Sequence, residues 1–185
     1  KMYQVLFKKP IWVTEWNLQI SLTTGNTMLQ SLFVAQYFME LLSTEELKSI
    51  VLTTYHNMGG RDYGGSIFRN NKEILEIQST FNSLKLIGEI FDMNQLKVDK
   101  EVISNQVFRY NIYSNNFLKM VCIINWSDQF FKLNDIKEKR IKSFHSTNLY
   151  DKANISGELE STLLYSKTNC NLQPHSITLI TYLNE

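Results

Sequence analysis

Hydrophobic residues in the first half of the chain form two short continuous runs, and each run precedes a long helical pattern. The runs are residues 10–16 and 49–55, rich in the β-favouring residues Ile, Val, Trp, Thr and Tyr. Apolar residues then recur at helical spacing over residues 27–42 and 73–91. Short, continuously apolar strands are typical of a parallel sheet that is buried on both faces. The order strand, helix, strand, helix therefore predicts an α/β region built from βα units.

Apolar residues are spaced differently in the second half of the chain. Helical spacing stops after Asp99, and short β-rich segments follow at residues 107–113, 117–126, 129–133, 141–147, 162–165 and 177–183. Turn residues separate them, among them Ser114-Asn115-Asn116 and the segment 167–171. Several short strands at this spacing predict an antiparallel β-sandwich. The sequence thus reads as α/β followed by all-β, with one domain portion at 1–98 and a second domain at 99–185.

Two βα units do not complete a parallel sheet, because both faces and both edges need cover. We therefore expect the first region to be the last portion of a larger α/β domain. Upstream residues or another chain would complete its fold. Without them we expect the 185-residue chain to associate or aggregate through exposed apolar side chains, namely those of Ile11, Val13, Val51 and Leu52.

Composition narrows the classes of partner. Hydrophobic residues make up 43% of the chain and charged residues 20%, which is enough apolar material for a globular core. The formal net charge is +1 without a basic stripe, which argues against nucleic acid and anionic membranes as partners, and no apolar run is long enough to span a bilayer. Cys122 and Cys170 form neither a disulfide framework nor a metal motif, and two buried apolar cysteines are favoured over a disulfide. We predict no metal site and no cofactor.

One carboxylate, that of Glu15, lies at a position where catalytic residues of parallel-sheet enzymes are commonly found. Glu15 ends the first predicted strand, and functional residues of barrel enzymes lie at the carboxyl ends of strands. A charge at such a position is costly unless it is used or paired. The alternative is a glutamate that simply enters a surface loop and is solvated.

Polar and aromatic residues cluster near the same predicted edge of the sheet. Tyr55, His56 and Asn57 end the second strand, where they would contact a sugar by stacking and hydrogen bonding. The alternative is ordinary loop polarity around one packed tyrosine. Trp16 and Asn17 follow Glu15, and Trp16 suits equally a pocket wall or a buried position between strand and loop.

The segment Lys9-Pro10-Ile11-Trp12-Val13-Thr14-Glu15-Trp16-Asn17 resembles the seventh strand of retaining glycoside hydrolases built on the (β/α)8, or TIM, barrel. The helix over 27–42 and the strand over 49–55 then resemble the seventh helix and the eighth strand. Two later segments, Met120 to Ser127 and Leu172 to Leu179, resemble strands of the β-sandwich that follows such barrels. The chain is most similar to α-L-arabinofuranosidases of glycoside hydrolase family 51, and families 39, 30 and 79 are near alternatives.

The resemblance implies the last two βα units of a TIM barrel followed by an antiparallel sandwich. It also implies hydrolysis of a plant-type polysaccharide or oligosaccharide with retention, Glu15 being the nucleophile and Trp16, Asn17, Tyr55, His56 and Asn57 binding the sugar. The second carboxylate of that superfamily stands in an Asn-Glu pair, and no such pair precedes Glu15 here, so this chain alone should be inactive. Two other interpretations stay open: a carbohydrate-binding or structural β-sandwich without catalysis, and an unrelated α/β enzyme.

Overall fold

The structure is a computed structural model that describes residues 9–18, 24–56, 59–60, 66–71, 74–136, 139–150, 160–164 and 168–182. It opens with a βαβ unit. Strand β1 (Ile11–Trp16) leads into helix α1 (Met28–Ser43), a short 3-10 turn (Glu45–Leu47) and strand β2 (Ile50–Tyr55). The two strands pair in parallel, with Ile11 opposite Ile50 and Trp16 opposite Tyr55. The pairing brings the carboxyl ends of both strands to one edge, as the sequence pattern predicts for consecutive βα units.

The segment between β2 and the second helix differs from the sequence prediction. Residues 59–77 contain a small three-stranded sheet of β3 (Gly59–Gly60), β4 (Phe68–Asn71) and β5 (Ile74–Ile77), and helix α2 occupies only Ser79–Phe91. The predicted helix over 73–91 is therefore too long at its start. In isolation the run Ile74-Leu75-Glu76-Ile77 fits the apolar spacing of a helix and of a strand equally well. Antiparallel pairing with β4 makes it a strand.

A six-stranded antiparallel sheet forms the largest part of the chain, with strand order β11–β10–β13–β8–β7–β6. A separate two-stranded ribbon pairs β12 with β9. The strands are β6 (Leu96–Val102), β7 (Val107–Ser114), β8 (Phe117–Asn125), β9 (Phe131–Ile136), β10 (Lys139–His145), β11 (Glu160–Leu164), β12 (Thr168–Leu172) and β13 (Ser176–Tyr182).

Two of these strands were not predicted. Strand β6 crosses the proposed boundary at 98–99, and its mostly polar sequence, Leu-Lys-Val-Asp-Lys-Glu-Val, fits an edge strand with one buried position, Val98. Strand β12 lies where a turn was predicted, and its sequence Thr-Asn-Cys-Asn-Leu is held by antiparallel pairing with β9. The predicted turn at Asn115-Asn116 is present, with φ of 52° and 65°, and it closes the β7–β8 hairpin.

The helices lie between the two kinds of sheet. Apolar side chains of α1 and α2 pack on one face of the six-stranded sheet and form a central core, whose largest fully buried members include Leu32, Met39, Leu86, Ile90, Tyr110 and Ile124. The β9–β12 ribbon covers the opposite face through a smaller cluster that includes Val121, Ile123, Ile180, Leu172 and Phe131. The large sheet is thus covered on both faces. Cys122 is a free, buried thiol in the central core, as the sequence suggested for it.

A polar cluster fixes α1 to the large sheet. The hydroxyl of Tyr110 donates to Glu40 Oε1 at 2.9 Å, Lys100 forms an ion pair with the same carboxylate, and Trp126 Nε1 donates to Gln36 Oε1 at 2.6 Å. Burial alone would raise the pKa of Glu40. Hydrogen bonds from Lys100 and Tyr110 and the charge of Lys100 outweigh that effect, so its pKa lies below the ordinary value. The cluster therefore stabilises the ionised carboxylate at the helix–sheet contact.

Candidate active site

The end of β1 carries an irregularity that determines which way its side chains face. Between Val13 and Trp16 the register shifts, so that three steps along β1 match two steps along β2, from Thr53 to Tyr55. Strict alternation would put Glu15 on the half-buried side of Val13 and Trp16 on the exposed side of Trp12. The extra residue reverses this order: Glu15 is exposed and Trp16 turns towards α1.

Trp16 lies against the helix rather than in an open cleft. Its indole stacks on Tyr37 with ring centroids 3.9 Å apart and meets Phe38 and Tyr55 edge to face at 5.2 Å. The sequence left Trp16 undecided between a pocket wall and a buried position, and the structure packs it, half-buried, between the strand and the helix. Its Nε1 is buried with no hydrogen-bond partner among the described residues.

A hydrogen-bonded ring of side chains joins the two strand ends. The Tyr55 hydroxyl donates to Asn17 Oδ1 at 3.1 Å, and Gln30 Nε2 donates to Asn17 Oδ1 at 3.3 Å and to the Tyr55 hydroxyl at 3.2 Å. Asn17 also accepts from the Leu18 backbone at 2.7 Å and donates to the His56 carbonyl at 3.4 Å. Burial raises the pKa of Tyr55, so the phenol stays protonated and able to donate. Asn17 and Tyr55 therefore form a rigid support for the ends of β1 and β2.

The remaining predicted residues lie at the same edge. The His56 backbone N–H donates to the Trp16 carbonyl at 3.0 Å, and its side chain is exposed, as is that of Glu15. Asn57 lies outside the described residues. The structure thus brings Glu15, Trp16, Asn17, Tyr55 and His56 together, with Glu15 and His56 on the solvent side and the other three packed or hydrogen-bonded beneath them. Sequence reasoning missed Gln30, whose signal was its place three residues after the helix-capping Thr27.

The parallel pair leaves apolar surface uncovered in the described part of the chain. Trp12 is 67% exposed and Val51 60%, and Leu52 is also exposed, whereas Ile11 and Val13 are half-buried. The expectation of exposed apolar side chains therefore holds for β2, and on β1 the exposed one is Trp12. An open groove of about 360 Å³ adjoins β2, and it is lined by Phe38, Leu41, Leu42, Ile50, Val51, Leu52, Thr53 and Phe91.

The described residues contain no group of three or more His, Cys, Asp or Glu side chains arranged to hold a metal ion. Neither helix within these ranges has the length and apolarity needed to cross a bilayer.

Comparison of the sequence with known proteins finds no relative: no family model matches, and no curated protein matches either. Comparison of the fold does find relatives. The thermostable GH51 α-L-arabinofuranosidase from Thermotoga petrophila RKU-1 matches with a TM-score of 0.64 at 13% identity, over 92% of this chain and 42% of its own. The catalytic domain of GH30 xylanase C from Talaromyces cellulolyticus matches with a TM-score of 0.58 at 11% identity, over 95% and 41%.

A GH39 β-xylosidase from Caulobacter crescentus also matches, with a TM-score of 0.54 at 14% identity, over 94% of this chain and 44% of its own. The chain has a glycoside-hydrolase-like fold. It spans less than half the length of each of these three proteins. Identities this low concern the fold alone, so the individual family stays a prediction, as do the catalytic and binding roles of single residues.

Proposed function

We propose that this chain contributes the nucleophile of a retaining glycoside hydrolase and that Glu15 is that nucleophile. One observation carries the proposal: Glu15 is exposed at the carboxyl end of a strand that pairs in parallel with the next, within a glycoside-hydrolase-like fold. Barrel enzymes place their chemistry at this edge of the sheet. The register shift in β1 supports the proposal, because it turns the carboxylate away from the helix and towards solvent.

The proposed reaction has two steps. The ionised Glu15 carboxylate attacks the anomeric carbon, an ester bond forms, and the bond to the leaving oxygen breaks as a second carboxylic acid protonates that oxygen. The second group, now a carboxylate, then removes a proton from water, which attacks the anomeric carbon and releases Glu15. Retention requires the two carboxyl groups to stand roughly 5 Å apart. The acid/base belongs to barrel strands that precede β1, in upstream residues or in another chain, and this chain alone is inactive.

The other site residues have different proposed roles. His56, exposed beside the Trp16 carbonyl, and Asn57 contact sugar hydroxyls. Trp16, Asn17 and Tyr55 act from beneath, holding the floor of the sugar site through the aromatic cluster and the hydrogen-bonded ring. Glu15 and His56 are thus exposed, while the three residues that support them are half-buried.

The proposed substrate is a plant-type polysaccharide or oligosaccharide bearing α-L-arabinofuranosyl groups. In this proposal residues 1–98 are the last two βα units of a TIM barrel, and residues 99–185 are the β-sandwich domain. The similarity to family 51 in the Glu15-Trp16 pair and the match to two proteins named as α-L-arabinofuranosidases support this choice. Xylosidic substrates follow next, because the GH39 and GH30 matches are named for xylose-containing substrates.

The test is replacement of Glu15 by alanine in the complete protein, assayed on 4-nitrophenyl glycosides of arabinofuranose and xylose. Removing the nucleophile should lower kcat by about 10³-fold or more and leave the melting temperature unchanged, since the side chain is exposed. Azide should then restore turnover and give a glycosyl azide of inverted configuration. Glu45→Ala is the matched control, because Glu45 is an exposed glutamate outside the site. Activity that persists in Glu15→Ala would exclude it as the nucleophile.

The alternative of a non-catalytic carbohydrate-binding sandwich gains nothing from the described surface. A binding face would need a row of exposed aromatic rings on one sheet. The most exposed rings of the described β region lie at three places: Phe117 begins β8, Phe130 lies beyond the other end of β8, and Tyr150 follows β10.

A further inference from the structure

Gln30 is a buried polar residue whose side chain contacts both the start of helix α1 and the ends of strands β1 and β2. It is 1% exposed, lies in the first turn of α1, and contacts the loop after β1 and the end of β2. Burying an amide is unfavourable unless its donors and acceptor are hydrogen-bonded. The side-chain oxygen and the NH2 group of Gln30 both have hydrogen-bond partners. These partners explain why a glutamine occupies this position.

The acceptor oxygen serves the helix. Thr27 is the N-cap of α1, and its side chain accepts from the Gln30 backbone N–H at 3.4 Å. Gln30 Oε1 accepts in turn from the Asn26 backbone N–H at 2.9 Å. This is a variant of the capping box, in which the third helical residue reaches back to the backbone before the helix. Helix capping therefore uses the side-chain oxygen of Gln30, and its NH2 group is available for other hydrogen bonds.

The NH2 group serves the strand ends. Its two hydrogens go to Asn17 Oδ1 and to the Tyr55 hydroxyl. A glutamate would cap the helix equally well, and its charge would suit the positive end of the helix dipole. Glutamate has no N–H to give, so the feature that only glutamine supplies is the pair of bonds to Asn17 and Tyr55.

We propose that Gln30 is a positioning residue for the reaction assigned to Glu15, an inference that rests on the proposed function. Gln30 holds Asn17 and Tyr55 in one ring, and Asn17 holds the Leu18 amide and the His56 carbonyl. Loss of the NH2 donors releases the segment that follows Glu15. A shift of about 1 Å in a reacting group lowers turnover by roughly 10²-fold.

The experiment compares three variants of the complete protein. Gln30→Met removes the acceptor and both donors at similar volume. Gln30→Glu keeps the cap acceptor and removes both donors while its carboxyl group is ionised. Gln36→Met is the matched control, because Gln36 makes side-chain hydrogen bonds on the same helix but at the sheet contact, to Glu40 and Trp126.

The first readout is hydrogen exchange of two backbone amides, His56 N–H and Leu18 N–H, resolved by NMR. We expect Gln30→Met to lower their protection by about tenfold, as loss of local hydrogen bonds does, and Gln36→Met to leave it unchanged. In Gln30→Glu protection should fall at pH 7 and recover towards pH 4, because a protonated carboxyl group donates one hydrogen bond. Tyr55, the titratable group hydrogen-bonded to Gln30, stays protonated over this range because burial raises its pKa. A residue that only fills space would show no such recovery.

The second readout is steady-state kinetics. We expect Gln30→Met to lower kcat by about 10- to 100-fold with KM changed less than about threefold, because a displaced nucleophile weakens transition-state binding. Equal loss of amide protection in the Gln30→Met and Gln36→Met proteins overturns the inference. So does unchanged kcat in a Gln30→Met protein whose two amides have lost protection. If the wild-type protein hydrolyses no glycoside, or Glu15→Ala retains full activity, the proposed function fails, and exchange alone decides whether Gln30 fixes the strand ends.

Discussion

The six-stranded sheet and the parallel pair β1–β2 contact the same helices but differ in how far their two faces are covered. The sheet has the helices on one face and the β9–β12 ribbon on the other, and the central residues of β8 and β13 are fully buried. The parallel pair has α1 on one side, and its paired residues Trp12 and Leu52 are exposed within the described chain. We therefore expect stability to reside mainly in the antiparallel region, whereas the candidate chemistry lies at the carboxyl edge of the parallel pair.

Helix α1 shows how one element serves both regions. Leu32, Ala35 and Met39 follow helical spacing and are buried towards the large sheet. Tyr37 and Phe38 belong to another side of the helix and pack on Trp16. A helix that is apolar on two sides is typical of a position between two layers. One helix therefore packs against the large sheet and against the end of β1.

The largest expected effect on stability is in the large sheet. Ile124→Ala should lower the free energy of unfolding by about 2–5 kcal/mol, because Ile124 is fully buried in β8 and the substitution leaves a cavity. Urea denaturation followed by circular dichroism measures the change. A loss below about 1 kcal/mol would mean that the sheet is not the main source of stability.

A smaller effect is expected where α1 meets the sheet. Glu40→Gln should cost about 1 kcal/mol at pH 7, because it weakens the charged contacts to Lys100 and Tyr110, which are only partly shielded from solvent. The pKa of Glu40 is lowered on folding, so the contribution is complete above about pH 4.5 and is lost as the pH falls through the lowered pKa. In thermal melts the difference between variant and wild type should therefore be larger at pH 7 than at pH 3. A difference of the same size at both pH values would contradict this assignment.

The smallest effect on stability is expected at the exposed apolar side chains of β1–β2. Val51→Ser should change the free energy of unfolding by less than about 0.5 kcal/mol, because the side chain is 60% exposed. The same substitution, combined with Trp12→Ser, should reduce association of the 185-residue chain, which light scattering measures. Phe117→Ser is the control, since Phe117 is exposed to a similar extent on the other region. If the unsubstituted 185-residue chain is monomeric, the exposed apolar side chains of β1–β2 do not drive association.

Sequence patterns predicted the long, strongly periodic elements well. Helix α1 was expected over 27–42 and occupies Met28–Ser43, and β1 and β2 lie within the predicted runs and pair in parallel. Strands β6 and β12 were missed because polar edge and ribbon strands lack the alternation that identifies a half-buried strand. In the segment 74–77 the local pattern was ambiguous, and tertiary pairing with β4 decided it.

Within the candidate site, the sequence indicated which residues converge but not how they face. Parallel strands predicted that Glu15 and His56 would meet at one edge. The register shift that exposes Glu15 and turns Trp16 towards α1 has no signature in Val13-Thr14-Glu15-Trp16, because it depends on pairing with β2. Gln30 was overlooked because helical spacing alone marks it as one more position in α1, whereas its hydrogen bonds reach Asn17 and Tyr55, which are distant in sequence.

Covalent trapping of the nucleophile tests the central claim most directly. The complete protein would be incubated with a 2-deoxy-2-fluoro glycoside carrying a good leaving group, chosen from the sugar that it hydrolyses fastest. The fluorine slows both steps, and the leaving group lets the ester accumulate. Peptide mass spectrometry would then locate the added glycosyl group. We expect one equivalent of label on the peptide that contains Glu15, and none on that peptide in the Glu15→Ala protein. Label on another carboxylate, with Glu15 unmodified, would contradict the assignment of Glu15 as the nucleophile.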